Sequence, residues 1–459
     1  MMKINYKIIF IYLVVFSTLI SCNKEDELNY EKREISESTN AIDVFLKEHF
    51  LDKYNSAVRW EWDDKYVDIE YYVGPPEPAK VIPTAEFIED FWINPYAECS
   101  EKAKQFISDN FPTEVILIGT QMLNENGTST LGFAEAGVRI TLTEINDFDL
   151  KNPKWLRQQL HTMHHEFSHI VHQTYKLPAG YELVSGSMYT GNSWTSLMIY
   201  PDQKTKEQRE NETEEEWKER MKSIVKEDNT NGIKLGCVTP YGTSNAYEDF
   251  AELVSFFLIT KEADFTEEYM PKSEEEIREV VRDTVNSFYA KVEKVQTEAY
   301  NSSYAQAYKS NYEHYYAEYI GEGKTEEESK TLAEEISKKL ATSTANKVAD
   351  AARLKMPEIS EVIEPIFEKA YNKAKASGMT DEEAQNAAFA ITAPYVSDMT
   401  FIATERALIA SEKLKSLNAG KKLIKQKLDM VLDYYKSNFD IDLAKLRDII
   451  QERIVNAQK

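Results

Sequence analysis

The stretch His161-Thr162-Met163-His164-His165-Glu166-Phe167-Ser168-His169-Ile170-Val171-His172 holds five of the seven histidines in a chain of 459 residues. Asn152-Pro153 upstream is a helix start, with asparagine as cap and proline in the first turn. Leu156, Leu160, Met163, Phe167, Ile170 and Thr174 then recur three or four residues apart, which predicts one helix with this set on its apolar face. Histidines four apart sit one turn above each other, so two imidazoles can reach one ion. His161/His165 and His165/His169 both meet that spacing, but only the second pair encloses a glutamate directly after the first histidine, the H-E-x-x-H pattern. The pattern predicts His165 and His169 as zinc ligands and Glu166 as the base that takes a proton from a zinc-activated water. His161, His164 and His172 are expected beside the ligands or at the surface.

Catalytic zinc takes three protein ligands and keeps a fourth position open. Tyr175 stands six residues after His169, so the longer motif with a third histidine is absent and the third ligand comes from elsewhere. Downstream, Tyr241-Gly242-Thr243-Ser244-Asn245-Ala246-Tyr247-Glu248-Asp249-Phe250-Ala251-Glu252 reads as a helix after a Ser244/Asn245 cap. Phe250, Val254 and Phe257 mark its buried face, and Glu248 and Glu252 share another face one turn apart. Two alternatives stay open for this helix. Asn245-x-x-Glu248 is also a capping box, which would occupy Glu248 with helix amides, and Asp249 becomes the ligand if the helix is rotated.

H-E-x-x-H followed by a later helix with E-x-x-x-[DE] is the gluzincin pattern, and Tyr241 to Glu252 looks like the corresponding helix of anthrax lethal factor. His165-Glu166-Phe167-Ser168-His169-Ile170-Val171-His172-Gln173 and Glu248-Asp249-Phe250-Ala251-Glu252 more closely resemble the zinc-binding metallopeptidase lipoproteins of Bacteroidota. The C-terminal Gln426-Lys427-Leu428 and Asp440-Ile441-Asp442-Leu443 are similar to that family's closing segment. The resemblance covers about residues 41–265 and 418–455. It implies a gluzincin-type zincin domain with one zinc ion per chain and Glu248 as third ligand. Glu252 would orient a ligand histidine, and Tyr241 would donate to the oxyanion of the tetrahedral intermediate. It also implies peptide or protein substrates laid as an extended strand against the edge-strand candidate 137–143.

The expected fold class is α+β: a small sheet with active-site helices, interrupted by a large all-helical insertion. Val58, Trp60 and Trp62 alternate with polar residues, Val115 to Ile118 is a short apolar run, and Val138, Ile140 and Leu142 alternate again after an Asn126-Gly127 turn. From residue 151 onward the pattern is almost wholly helical, with a charge-dense insertion at 203–228. Capping boxes start at Ser273, Thr325 and Thr380, and the last two each follow a glycine by two residues, which hints at a duplicated helical hairpin. The domains expected are a zincin-like unit at 41–265, a helical block at 266–417 and C-terminal helices at 418–459 packing back on the first unit. The block is larger than the resemblance leads one to expect and is a candidate substrate-gripping arm, protein-partner module or spacer.

Lys3 and Lys7 precede an apolar run from Ile8 to Ile20, too short for a bilayer span of about 20 residues. It ends in Leu19-Ile20-Ser21-Cys22, which resembles a bacterial lipobox. Residues 1–21 are therefore expected to be a signal peptide, with Cys22 lipidated and 22–40 a polar tether. Asn23-Lys24-Glu25-Asp26-Glu27 is similar to the surface-export signal of Bacteroidota lipoproteins, so a cell-surface-exposed outer-membrane lipoprotein is expected. Membrane contact would run through lipidated Cys22 alone. Cys99 and Cys237 are expected as buried thiols, with a disulfide between them as the alternative. With 54 basic against 78 acidic side chains the net charge is −24, which disfavours nucleic-acid partners. The leading reading is a cell-surface zinc endopeptidase. The runner-up is a surface binding module for protein or glycan that retains the zincin scaffold, and a structural zinc site fits worse because Glu166 would have no purpose in it.

Overall fold

The structure is a computed structural model that describes residues 38–63, 65, 71, 73–123, 129–130, 132–135, 138–199 and 213–459. The expected signal peptide with Cys22, most of the expected tether, the Asn126-Gly127 turn signal and the first part of the charged insertion lie outside the described residues.

A helix, α1 (Ala41–Leu46), leads into β1 (Ala57–Arg59), and helices α2 (Pro78–Ile88) and α3 (Glu101–Asn110) carry the chain to β2 (Glu114–Leu117). A two-stranded pair, β3 (Met122–Leu123) with β4 (Ser129–Thr130), precedes β5 (Gly132–Glu135) and β6 (Arg139–Leu142). The main sheet has the order β1-β2-β6-β5, with β1, β2 and β6 parallel and β5 antiparallel to β6. The expectation of 137–143 as an edge strand is thereby corrected: β6 is bonded on both sides, and β5 forms the edge. The reason is visible in the burial of the strand, since Ile140, Thr141 and Leu142 are all at 0% exposure and no face alternates to water.

The histidine-bearing helix α4 (Pro153–Tyr175) lies across β5 and β6. Gln159 Nε2 donates to the Thr143 carbonyl at 2.9 Å and Trp155 Nε1 to that of Glu144 at 2.9 Å, clamping the helix to the end of β6. Of the predicted apolar face, Leu156, Leu160, Met163, Phe167 and Ile170 are buried, while Thr174 is exposed. Phe167 fills an aromatic nest of Trp92, Tyr96 and Phe106, with ring centroids 5.4–5.9 Å away.

Helices α5 (Tyr181–Ser185), α6 (Glu214–Lys234), α7 (Ala246–Ile259) and α8 (Glu262–Tyr269) complete this unit. Beyond it run α9 (Glu274–Gly321), α10 (Glu326–Arg353), α11 (Pro357–Ala376), α12 (Asp381–Val396), α13 (Met399–Phe439) and α14 (Leu443–Ala457). The α9/α10 and α11/α12 pairs are hairpins that match at an offset of 55 residues. Tyr312 and Tyr316 correspond to Phe367 and Tyr371, stacked one turn apart in each copy. The buried small residues Ser329, Ala333 and Ser337 correspond to Ala384, Ala388 and Thr392. Phe288, Met356, Ile359, Val362 and Ile402 form a separate small core at the root of the hairpins.

The boundaries expected at 265/266 and 417/418 fall inside α8 and α13. Gly420 lies within α13, where a Cβ would stand 1.7 Å from the Ile233 carbonyl oxygen of α6. It is a close-packing glycine, and Ile424, Leu428, Val431 and Tyr435 after it enter the same core as Leu156 and Phe250. Among the described residues no helix is long and apolar enough to cross a membrane. Cys99 and Cys237 are both free thiols, the first half-buried and the second buried.

Candidate metal centre

Helices α4 and α7 pack side by side and bring together His165, His169 and Glu248. His165 Nε2 and His169 Nε2 are 3.1 Å apart, and Glu248 Oε2 is 3.2 Å from each. Ligand atoms bound to tetrahedral zinc at about 2.0–2.1 Å stand about 3.3–3.4 Å from one another, close to this triangle. Glu248 Oε2 is buried and makes no hydrogen bond within the described residues. A buried carboxylate oxygen within 3.2 Å of two ring nitrogens suits a cation, and the donor set of two imidazoles and one carboxylate suits zinc. The capping-box alternative is not what the geometry shows. Asn245 Oδ1 caps the amides of Tyr247 and Glu248, and the Glu248 carboxylate turns to the histidines.

The second nitrogen of each histidine is occupied. His165 Nδ1 lies 2.8 Å from Glu252 Oε1, and His169 Nδ1 lies 2.8 Å from His172 Nε2. Burial and the neighbouring His169 lower the His172 pKa to about 4, so a neutral His172 accepts from His169 and leaves His169 Nε2 free for an ion. Glu252 is itself braced: Oε1 also meets His161 Nε2 at 2.9 Å, and Oε2 accepts from the Thr239 hydroxyl at 2.6 Å. His161, His165 and Glu252 also fall within metal-ligand reach of one another. In this group Glu252 Oε1 lies between His161 Nε2 and His165 Nδ1, a placement that orients His165. His161 and His172 thus stand beside the ligand positions as expected. His164 does not: it is fully buried against Tyr96, and burial holds it neutral with a pKa of about 3.

Burial opposes a charge on His165, but the carboxylates of Glu248 and Glu252 outweigh it and raise its pKa to about 10. Glu248, though burial pushes the other way, is lowered to about 2 by the two histidines. Glu252 is lowered in the same manner by His161 and His165. Without an ion, a proton substitutes for the missing positive charge in this acid-rich nest.

Glu166 is 9% exposed, follows His165 on α4, and accepts no hydrogen bond from another described residue. Tyr241 is 38% exposed with its ring stacked 6.0 Å from that of His165, and Trp194 meets it edge-on at 5.1 Å. Burial, then the Glu248 carboxylate, raises the Tyr241 pKa, so its hydroxyl stays a donor. Thr190 ties the Trp194 segment to that of Tyr241, its amide donating to the Thr243 carbonyl at 2.7 Å. Tyr247, 53% exposed, stacks on His172 at 4.7 Å.

Sequence reasoning missed Lys427 of α13, which pairs with Asp249 and turns it away from the histidines. That pairing removes Asp249 as an alternative ligand. The available signal was spacing: Lys427 sits three after Ile424 and four before Val431, at a core position of an amphipathic helix. It also missed Thr239 and Trp194, for which the sequence holds no signal.

The family model described as "Putative zinc-binding metallo-peptidase" matches residues 35–304, more than half of the chain. A crystal structure of a protein titled a putative zinc-binding metallo-peptidase, from Bacteroides caccae, is similar at 18% identity and a TM-score of 0.43, covering 91% of this chain and 92% of that one. No curated protein matches the chain.

Proposed function

Since the chain belongs to the family described as "Putative zinc-binding metallo-peptidase", we propose that it is a gluzincin-type zinc endopeptidase. One ion per chain would be held by His165, His169 and Glu248. The observation that carries this reading is the triangle of those three donor atoms, with the carboxylate of Glu166, unpaired among the described residues, next to it in the chain. When bound there, zinc would supply Lewis acidity to a water and to the substrate carbonyl. Glu166 takes the proton from the attacking water and returns it to the leaving amine. Tyr241, kept protonated, donates to the oxyanion of the tetrahedral intermediate. Glu252 and His172 hold the two imidazoles in the tautomers that direct Nε2 to the ion. An extended substrate would pair with β5, the strand at one end of the main sheet among the described residues. On the N-terminal sequence, the protein is tethered to the outer membrane through Cys22 and faces outward.

The test is a digest of a diverse peptide mixture read by mass spectrometry, with the Glu166→Ala variant alongside. Cleavage by wild type alone is expected, with equal zinc content in both proteins. Equal cleavage patterns in both would remove Glu166 as the base. Silence from both, with zinc bound, favours the binding-module reading.

A further inference from the structure

Asp249 and Lys427 form an ion pair in which neither side chain reaches solvent, at 1% and 0% exposure. The Tyr189 hydroxyl donates to Asp249 Oδ2 at 2.7 Å. Lys427 Nζ donates to Ser185 Oγ at 2.9 Å, lies 3.8 Å from Cys237 Sγ, and sits 5.7 Å from the centre of the Tyr181 ring. Lys427 comes from α13, 178 positions downstream of Asp249.

Removing an ammonium and a carboxylate from water costs several kcal/mol per ion, and such a pair is often no better for stability than well-packed apolar side chains. The pair does have a geometric consequence. Asp249 follows Glu248 in the first turn of α7, about 100° further round the helix. One residue faces the two histidines and the next faces Lys427. At a radius of about 5–6 Å, rotating this turn by about 10° carries a carboxylate oxygen through about 1 Å. An apolar contact slides through such a displacement, whereas a buried ion pair with a second donor on the same oxygen does not. Displacements of that size at a reacting centre are enough to cost about 10²-fold in rate.

We infer that Lys427 is a positioning residue: by fixing the rotation of the first turn of α7 through Asp249, it holds Glu248 Oε2 over His165 and His169. The inference rests on the reading of those three residues as the zinc site. It makes the metal centre dependent on a helix that enters only after the whole hairpin block.

The test compares wild type, Lys427→Met, Asp249→Leu, the double variant and Val431→Ala. Two quantities are measured: zinc affinity, by competition with a chromophoric chelator, and the melting midpoint in excess chelator. Each single variant leaves a buried charge unpaired, so both should melt lower and bind zinc about tenfold or more weakly. The double variant should regain much of the midpoint and still bind zinc about tenfold weakly. Val431→Ala opens a cavity in the same helix without touching the pair, so its midpoint should fall while zinc affinity holds. A double variant that recovers midpoint and affinity together overturns the inference. So does Val431→Ala losing affinity as Lys427→Met does, and this comparison stands even where the double variant does not fold. Wild type failing to bind zinc would remove the site itself, whereas a peptidase test that fails with zinc bound leaves the inference standing.

Discussion

Oε1 of Glu252 stands 2.8 Å from Nδ1 of His165, one helix reaching across to set the ring of another. Because its other oxygen is held by Thr239, Glu252 has little freedom to follow His165 if that ring turns. Glu252→Ala is expected to weaken zinc binding about 10–100-fold, the range for a lost partner of a metal-bound histidine. Chelator competition reads it directly, and unchanged affinity would show that His165 needs no brace.

Tyr241→Phe keeps the ring over His165 and deletes only the hydroxyl. If that hydroxyl meets the oxyanion, kcat should fall about 10²-fold with KM and zinc content little changed. A rise in KM at constant kcat would instead make Tyr241 a substrate-binding surface, together with Trp194.

Zinc must displace the proton that His165 carries in the metal-free protein. With a pKa raised to about 10, that proton is bound across the neutral range, so affinity should rise about tenfold per pH unit until about pH 10. Glu248, lowered to about 2, stays ionised throughout and adds no slope above pH 4. The sign for metal-free stability is opposite. The raised His165 pKa contributes stability fully below about 6.5 and loses it as pH climbs towards 10. Isothermal titration at several pH values and melting curves in chelator measure the two trends separately.

Gly420→Ala drives a methyl group into the Ile233 carbonyl, and neither backbone can yield cheaply. A loss of about 3 kcal/mol or more is expected, with the midpoint falling and zinc affinity following α13. Gly321→Ala, at the end of α9 with open space around it, should be neutral or stabilise by about 0.5–1 kcal/mol. Thermal melts of the two variants make the comparison.

The histidine helix was legible because its two periodicities, apolar and imidazole, are both local to one helix. Glu248 was legible only as one of several options, since Asn245 makes the cap and ligand readings identical in sequence. What separates them is the packing of α4 on α7, which no single segment encodes. The role of Gly420 was hidden for a related reason: a glycine that ends a helix and one that admits a neighbouring backbone look alike until the neighbour is present. The hairpin duplication could be suspected from Thr325 and Thr380, but the matching ladders of large and small residues became evident only when the helices were paired. Edge and centre of the sheet could not be told apart either, because strand order is a property of contacts between segments far apart in the chain.

Helix α13 is unbroken for 41 residues, rooted in the hairpin core at Ile402 and, at Lys427, in the unit that carries the candidate metal centre. Its two ends are therefore geared together. Adding one residue between them would leave the helix intact yet turn the hairpins by about 100° and shift them by about 1.5 Å relative to the candidate metal centre. The direction in which the hairpins point is fixed by a residue count, and insertions there act as a dial whose settings come in helical steps.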